Sequence, residues 1–366
     1  MQGRELIQRT LKKEPAQVSG FWVGHPTDQA KKIYYEQVGI RERELTEQEL
    51  RNQKAAKKVN YTTKAGRQEA DFSCRVGSDM IWLSPELDLG AWRHPQGKPM
   101  WDCFNEKHVS LGTGGVFADC EDVREIEEFD WPNPDYLDMT AALEDTKYAW
   151  EQGLAVFGGM WCPFFHVMCD FFGMENYFVK MYTDPEVIHA ATRHIVDFYL
   201  ETNKRYLQMA KPYLSAAFFG NDLGSQRDLL ISPECFDTFI LPYMRELIDQ
   251  MKGMGLKVAV HSCGSIDRII PRLIDAGVDI LHPLQAKAAN MDAEHLAREY
   301  GGKITFLGGV DTQELLPFGT PRQVREEVLR LRDLFKGDFI VSPSHEALLP
   351  NVSFENVMAM SRAAKE

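Results

Sequence analysis

Short apolar runs recur along the chain and alternate with amphipathic stretches. The runs are continuous and rich in β-branched and aromatic residues, which is typical of strands buried on both faces of a parallel sheet. They cover residues 21–24, 79–83, 155–160, 214–220, 257–261, 280–282, 304–309 and 339–344. The pattern therefore predicts eight buried strands.

Helical patterns lie between these runs, most regularly in the second half of the chain. Helices are predicted over residues 184–207, 232–251, 266–276 and 321–335, where a capping residue with proline begins the segment or a glycine follows it. Strict alternation of strands and helices favours a (β/α)8 TIM barrel over a doubly wound sheet. The long interval between residues 83 and 155 predicts insertions in the first half.

We expect residues 1–366 to form a single barrel domain, with residues 1–20 as an N-terminal helical extension. The chain has 41 Lys and Arg against 54 Asp and Glu, a formal net charge of −13. This acidic balance argues against nucleic acid and against an anionic membrane surface as partners. No long apolar segment and no signal peptide are recognised, and the seven cysteines are scattered. These features predict a cytoplasmic protein with reduced thiols.

Chemistry in barrels of this type takes place at the C-terminal ends of the strands. The residues that follow the predicted strands are rich in metal ligands and titratable groups. They include His25, Ser84, Glu86, Trp161, Cys162, His166, Asn221, Asp222, His261, Cys263, Gln285, Asp311 and His345. We expect these side chains to surround one mouth of the barrel.

The sharpest signal is the tripeptide His261-Ser262-Cys263. Residues i and i+2 of an extended segment point the same way, so an imidazole and a thiolate reach one cation. Zinc accepts nitrogen and sulfur ligands, and a catalytic site leaves one position open. The remaining donor after a late strand is His345, which would converge with the pair over the mouth. Spacing alone leaves open that His261 and Cys263 are simply packed.

Four segments of the second half resemble the uroporphyrinogen decarboxylase-like superfamily, and most closely its zinc-dependent corrinoid methyltransferase branch. They are residues 218–244, 258–285, 306–328 and 339–360, and the resemblance extends over roughly residues 140–366. It implies a barrel, a zinc ion held by His-x-Cys and a late cysteine, and methyl transfer to or from the cobalt of a corrinoid protein. His261 and Cys263 match the pair. The late cysteine is replaced, so His345 is expected as the third ligand and Glu346 as the alternative.

The decarboxylase branch of the superfamily implies an arginine-rich segment near the N-terminus that binds substrate carboxylates. This chain has no arginine between Arg9 and Arg41. A tetrapyrrole with many acidic side chains needs such cations, because guanidinium groups pair carboxylates bidentately. A porphyrinogen decarboxylase therefore ranks second, and a non-catalytic corrinoid- or metabolite-binding barrel ranks third.

Methyl transfer of this kind is a nucleophilic displacement, which zinc assists by stabilising a thiolate acceptor or by polarising a methyl donor. One thiolate with two imidazoles leaves the ion positively charged, which favours the donor side and a small substrate such as a methoxy-compound. Asp222 and Gln226 are the candidate catalytic residues, although Asp222 could instead cap the turn before the next helix. The candidate substrate-binding residues are His25, His166, Asn221, Gln285 and Asp311. For His25 and His166, a packed core histidine is the alternative.

Overall fold

The computed structural model describes residues 3–14, 17–55, 66–104 and 112–366. Within these residues, eight parallel strands form a nearly closed barrel. The strands are β1 Gly20–Phe21, β2 Met80–Leu83, β3 Ala155–Gly158, β4 Ala216–Gly220, β5 Val258–His261, β6 Ile280–His282, β7 Thr305–Val310 and β8 Phe339–Pro343. Each overlaps a predicted run, so the predicted (β/α)8 TIM barrel is confirmed.

Helices surround the barrel, and most of the described strands are followed by at least one. They are α1 Gly3–Leu11, α2 Asp28–Gln37, α3 Glu47–Ala55, α4 Arg67–Arg75, α5 Val123–Glu127, α6 Thr140–Glu151, α7 Phe164–Phe172, α8 Met174–Thr183, α9 Pro185–Ala210, α10 Pro233–Cys235, α11 Leu241–Gly253, α12 Ile270–Asp275, α13 Ala293–Tyr300, α14 Leu315–Phe318, α15 Pro321–Phe335 and α16 Phe354–Ala364. None of these helices combines the length and the apolar character needed to cross a membrane. The cytoplasmic location stays a prediction.

Two of the predicted helices differ from the observed ones in an instructive way. The segment 232–251 is interrupted by a π-helical turn at Phe236–Ile240, which separates α10 from α11. The segment 266–276 begins with a 3-10 turn at Asp267–Ile269, so α12 is shorter than predicted. By contrast, α15 has the predicted bounds, because Thr320 and Gln323 form a complete capping box at its start.

The strand register brings the ends of the central strands to one level. Gly220 pairs with His261, and His261 pairs with His282. The side chains that follow β4, β5 and β6 therefore emerge at the same height on the rim. This alignment places the candidate residues of the second half of the chain next to one another.

The barrel interior is filled by large rings. Trp22, Trp82, Phe157, Trp161 and Phe218 belong to one buried cluster between the strands, to which α1 contributes Ile7 from below. The Trp82 and Trp161 rings lie 4.7 Å apart between centroids, and Phe218 meets both edge-on. These rings form a closed apolar floor beneath the rim.

Side chains join β1 to β2, where the sheet order of the described strands has its two ends. The Asp79 amide donates to the Phe21 carbonyl at 2.7 Å, and the Phe21 amide donates to Asp79 Oδ2 at 2.8 Å. The Val23 amide donates to Ser78 Oγ at 3.3 Å. Lys365, just after α16, also contacts Asp79 Oδ2. At this seam between β1 and β2, the buried Asp79 carboxylate thus replaces a backbone hydrogen bond of the sheet.

Replacing Asp79 tests this seam. Asp79→Ala leaves the buried Phe21 amide without an acceptor, so we expect the free energy of unfolding to fall by about 1–3 kcal/mol. Asp79→Asn retains a carbonyl oxygen and should lose less. Urea denaturation measures both, with the exposed Asp249 on α11 replaced by alanine as the control. Equal stability of Asp79→Ala and Asp249→Ala would contradict this role.

Candidate metal centre

His261, the last residue of β5, lies at the middle of the rim. Its ring is buried, with Nε2 at 2.9 Å from Asp222 Oδ1 and Nδ1 at 2.8 Å from His282 Nδ1. Glu346 Oε2 lies 3.6 Å from the same Nδ1. The Trp161 ring meets the imidazole edge-on, with 5.2 Å between centroids. Both ring nitrogens of His261 therefore face polar groups, while the apolar floor supports the ring.

The charges around His261 favour a positive centre between two carboxylates. Burial alone would lower the pKa of His261, but Glu346 and Asp222 raise that pKa well above its usual value. Burial would raise the pKa of Asp222, but His261 and His166 hold it well below its usual range. Burial lowers the pKa of His282 strongly, and the neighbouring His261 lowers it further. The surroundings thus shift the two imidazoles in opposite directions, His261 towards its charged form and His282 towards its neutral form.

Two overlapping groups of donor atoms meet at His261. One comprises Asp222, His261 and Cys263, and the other comprises His261, His282 and Glu346. Within each group the ligand atoms lie within 4.8 Å of one another. Glu346 Oε2 and His282 Nε2 are buried and have no hydrogen-bond partner among the described residues. Imidazole, thiolate and carboxylate are the donors that zinc accepts, so these residues fit a zinc ion.

His345 does not join either donor group in the described structure. Its Nδ1 accepts a hydrogen bond from the Ala347 amide at 3.1 Å, and its side chain is 36% exposed. Its ring centroid lies 6.2 Å from that of His261. Glu346, the alternative ligand, turns inward because its carbonyl accepts the amides of His25 and Leu348. The choice of third ligand stays a prediction, and this geometry favours Glu346 over His345.

Asp222 connects three segments of the rim. Besides its contact with His261, its Oδ1 accepts the Cys263 amide at 3.1 Å. Its Oδ2 lies 3.3 Å from His166 Nε2. At the start of the next helix, α10, the capping residue is Ser232, whose side chain accepts the Cys235 amide. The contacts with His261, Cys263 and His166 therefore fix the position of the Asp222 carboxylate.

The remaining predicted residues contact the backbone of the rim or lie outside it. Gln285 Oε1 accepts the Gly264 amide at 2.6 Å and so holds the turn after Cys263. The Asp311 carboxylate accepts the amides of residues 313–315. Gln226 has an exposed side chain. The His25 ring packs edge-on against Trp82, with 5.9 Å between centroids.

Asn221 is buried and bonded at both ends of its amide. Its Oδ1 accepts the Phe165 amide at 2.8 Å, and its Nδ2 donates to the Cys162 carbonyl at 3.2 Å. These bonds join the end of β4 to the start of α7 and to the residues just before it. Asn221 therefore holds the first turn of the helix that carries His166, which is how the structure relates it to the centre.

Sequence reasoning missed His282 as a member of the centre, and it named Glu86 among the residues of the rim without giving it a role. His282 ends a predicted strand in the same register as His261, and that pairing was the available signal. Glu86 follows β2, where Tyr199 Oη donates to its Oε1 at 2.7 Å and the Cys162 amide lies 3.3 Å from its Oε2. Burial raises the pKa of Glu86 to about 7.

Titratable residues at the C-terminal ends of the barrel strands are typical of TIM-barrel enzymes, whose active sites are built from the loops that follow the strands. The chain belongs to the uroporphyrinogen decarboxylase (URO-D) family, whose family model matches residues 112–366. The family resemblance predicted from the sequence is thereby confirmed.

Named relatives of this chain are methyltransferases. The methylated-thiol–coenzyme M methyltransferase of Methanosarcina mazei is 28% identical over 291 residues, which are 77% of this chain and 71% of the relative. The methylcobamide:CoM methyltransferase MtbA of Methanosarcina acetivorans is 23% identical over 201 residues, which are 54% of this chain and 53% of the relative. A solved methyltransferase from Methanosarcina mazei superimposes with a TM-score of 0.64 at 16% identity, covering 100% of this chain and 98% of that one. The last comparison shows the shared fold.

Replacing Asn221 separates scaffolding from direct chemistry. Asn221→Ala leaves the Phe165 amide without an acceptor and removes one of the two hydrogen bonds to the Cys162 carbonyl, so the free energy of unfolding should fall by about 1–3 kcal/mol. Gln226→Ala, in the same loop but exposed, should change it by less than about 0.5 kcal/mol. Chemical denaturation with a circular dichroism readout measures the difference. Equal stability of Asn221→Ala and Gln226→Ala would show that the Asn221 hydrogen bonds do not hold the start of α7.

Proposed function

We propose that the protein is a zinc-dependent methyltransferase that moves a methyl group from a small methylated substrate to the cobalt of a corrinoid protein. The observation that carries this proposal is the cluster of imidazole, thiol and carboxylate donors around His261. The names of the methyltransferase relatives support the reaction class. They also support a corrinoid protein as partner, because MtbA is named for methylcobamide.

The zinc ion would be held by His261 and Cys263, with a third donor from a carboxylate or from His345. Asp222 lies in one group with this pair, and Glu346 lies in the other group. The carboxylate that is not a ligand would orient His261, as outer carboxylates do for metal-bound imidazoles. When bound, zinc supplies a Lewis acid that polarises the heteroatom of a methyl donor, or stabilises a thiolate acceptor.

Each donor group contains at most one thiol. A single thiolate neutralises less of the ion's charge than two would, which favours polarisation of a donor such as a methoxy-compound. His166 is the substrate-binding residue best supported by the structure, because its ring lines a cavity and also faces Asp222. We retain Gln226 as a weaker catalytic candidate, and His25, Gln285 and Asp311 as weaker substrate-binding candidates.

Among the described residues, the charges at the candidate centre do not favour a porphyrinogen substrate. The partly buried carboxyl groups of Asp222 and Glu346 face the middle of the rim. Such groups repel the carboxylates of a tetrapyrrole instead of pairing with them. Decarboxylation of uroporphyrinogen by metal-free protein would nevertheless decide for that alternative.

Metal content tests the proposed ligands. We expect protein purified without chelator to carry zinc, and His261→Ala and Cys263→Ser to lose it. The loss of affinity should exceed the roughly 10–100-fold cost of removing an outer partner. Elemental analysis after dialysis gives the stoichiometry, and Cys74→Ser, an exposed thiol on α4, is the matched control. Zinc retained equally in Cys263→Ser and Cys74→Ser would refute the thiolate ligand.

Turnover with reduced cobalamin tests the reaction and its direction. Methoxy-compounds should methylate cob(I)alamin in the presence of the zinc protein, and His261→Ala should abolish this activity. The absorbance change on formation of methylcobalamin provides the measurement. Methylation by thioethers alone, with none from ethers, would contradict the donor assignment. Unchanged binding of a corrinoid protein without any turnover would instead favour the non-catalytic alternative.

A further inference from the structure

A cavity of about 170 Å³ lies beside the candidate centre, under the loop of residues 98–104. Its wall is mainly apolar and includes Trp92, Met100, Trp101, Pro163 and Val167. A cavity of roughly 150 Å³ with apolar walls accommodates benzene. The space therefore fits a single six-membered ring with one small substituent.

The carboxyl group of Glu86 reaches this cavity from the short helical turn Pro85–Leu87 that follows β2. Tyr199 on α9 donates to one carboxyl oxygen at 2.7 Å, and the Cys162 amide approaches the other at 3.3 Å. A donor on each oxygen fixes the plane of the carboxyl group. Glu86 is thus a rigid polar group in a mainly apolar wall, which is the usual composition of a small-molecule site.

Several other titratable groups face Glu86 or line the same cavity. They are Asp88 on its own segment, Lys98 and Cys103 on the covering loop, Cys162 after β3, His166 and Asp170 on α7, and Tyr199 on α9. The Lys98 ammonium is paired with Asp130 at 2.7 Å. Burial raises the pKa of Glu86 to about 7, so near neutral pH a substantial fraction of its carboxyl groups carry a proton.

The cavity is joined to the candidate metal centre by one side chain. His166 lines the cavity, and its Nε2 lies 3.3 Å from Asp222 Oδ2. Asp222 in turn contacts His261 at 2.9 Å. His166 therefore links the wall of the cavity to the donor cluster.

We propose that this cavity binds a small, neutral, single-ring compound, and that Glu86 donates a hydrogen bond to an oxygen substituent on its ring. That this compound is the methyl donor rests on the proposed function. The binding itself requires neither zinc nor a corrinoid protein.

Two ligands of equal size test the hydrogen bond. Anisole carries an ether oxygen where ethylbenzene carries a methylene group, so the pair differs chiefly in that one acceptor. At about pH 6 the protein should bind anisole about threefold to tenfold more tightly, the worth of one hydrogen bond. At about pH 8 this preference should disappear, because the ionised carboxylate cannot donate. Isothermal titration calorimetry at both pH values measures the dissociation constants.

Variants of Glu86 assign the effect to this residue. Glu86→Gln keeps an N–H donor without titrating, so its preference for anisole should persist from pH 6 to pH 8. Glu86→Leu should bind both ligands equally at either pH. Asp88→Asn removes another carboxyl group from the same cavity wall, and its preference for anisole should still decline between pH 6 and pH 8. Should Glu86→Leu not fold, the pH profiles of the unaltered protein and Glu86→Gln decide alone.

Three outcomes would overturn the proposal: no binding of either ligand, equal affinities at low pH, or a preference that ignores pH in the unaltered protein. The test is independent of turnover. Ring binding that depends on Glu86, together with failure to methylate cobalamin, would keep the site and reject the methyltransferase. Methyl transfer to cobalamin without such binding would keep the methyltransferase and reject the ring-binding site.

Discussion

The buried imidazole of His261, held between the carboxyl groups of Asp222 and Glu346, is the interaction on which the rest of the centre depends. An ionised carboxylate is costly to bury without a positive partner. These two groups therefore require a cation at this point, whether a proton on the ring or a metal ion. Nε2 of His261 faces Asp222 and Nδ1 faces Glu346, so the two loops that carry these carboxyl groups meet at the imidazole ring.

That convergence is a product of the barrel. The register that pairs Gly220 with His261 and His261 with His282 brings the loops after β4 and β5 to one height. Bonds from side chains to backbone then fix the loops: Gln285 holds the turn after Cys263, and Asn221 holds the start of α7. Residues that look chemical in the sequence thus contribute by positioning those that meet at the centre.

Much of the fold was predictable, because buried parallel strands and capped helices leave strong local patterns. The pair His261 and Cys263 followed from the two-residue period of an extended chain. The third ligand was harder to predict from the sequence, because the turn after β8 decides whether His345 or Glu346 faces inward. That turn is held by a hydrogen bond from the backbone amide of His25, which is distant in the chain. The polar character of Asp311 was visible, but its backbone partners were not. The raised pKa of Glu86 depends on burial by residues far away in the chain.

The aromatic plug inside the cylinder has a consequence for the order of events. Because Trp82, Trp161 and Phe218 pack below His261, an ion bound at His261 would be shielded on the side of the barrel axis. In the proposed reaction, the methyl donor and the corrinoid would then both approach from the open side of the rim. The methyl donor is the smaller molecule and would bind first at the recessed position. The larger corrin ring would then arrive from solvent and block the entrance. Such a geometry would impose an ordered, rather than random, sequence of encounters.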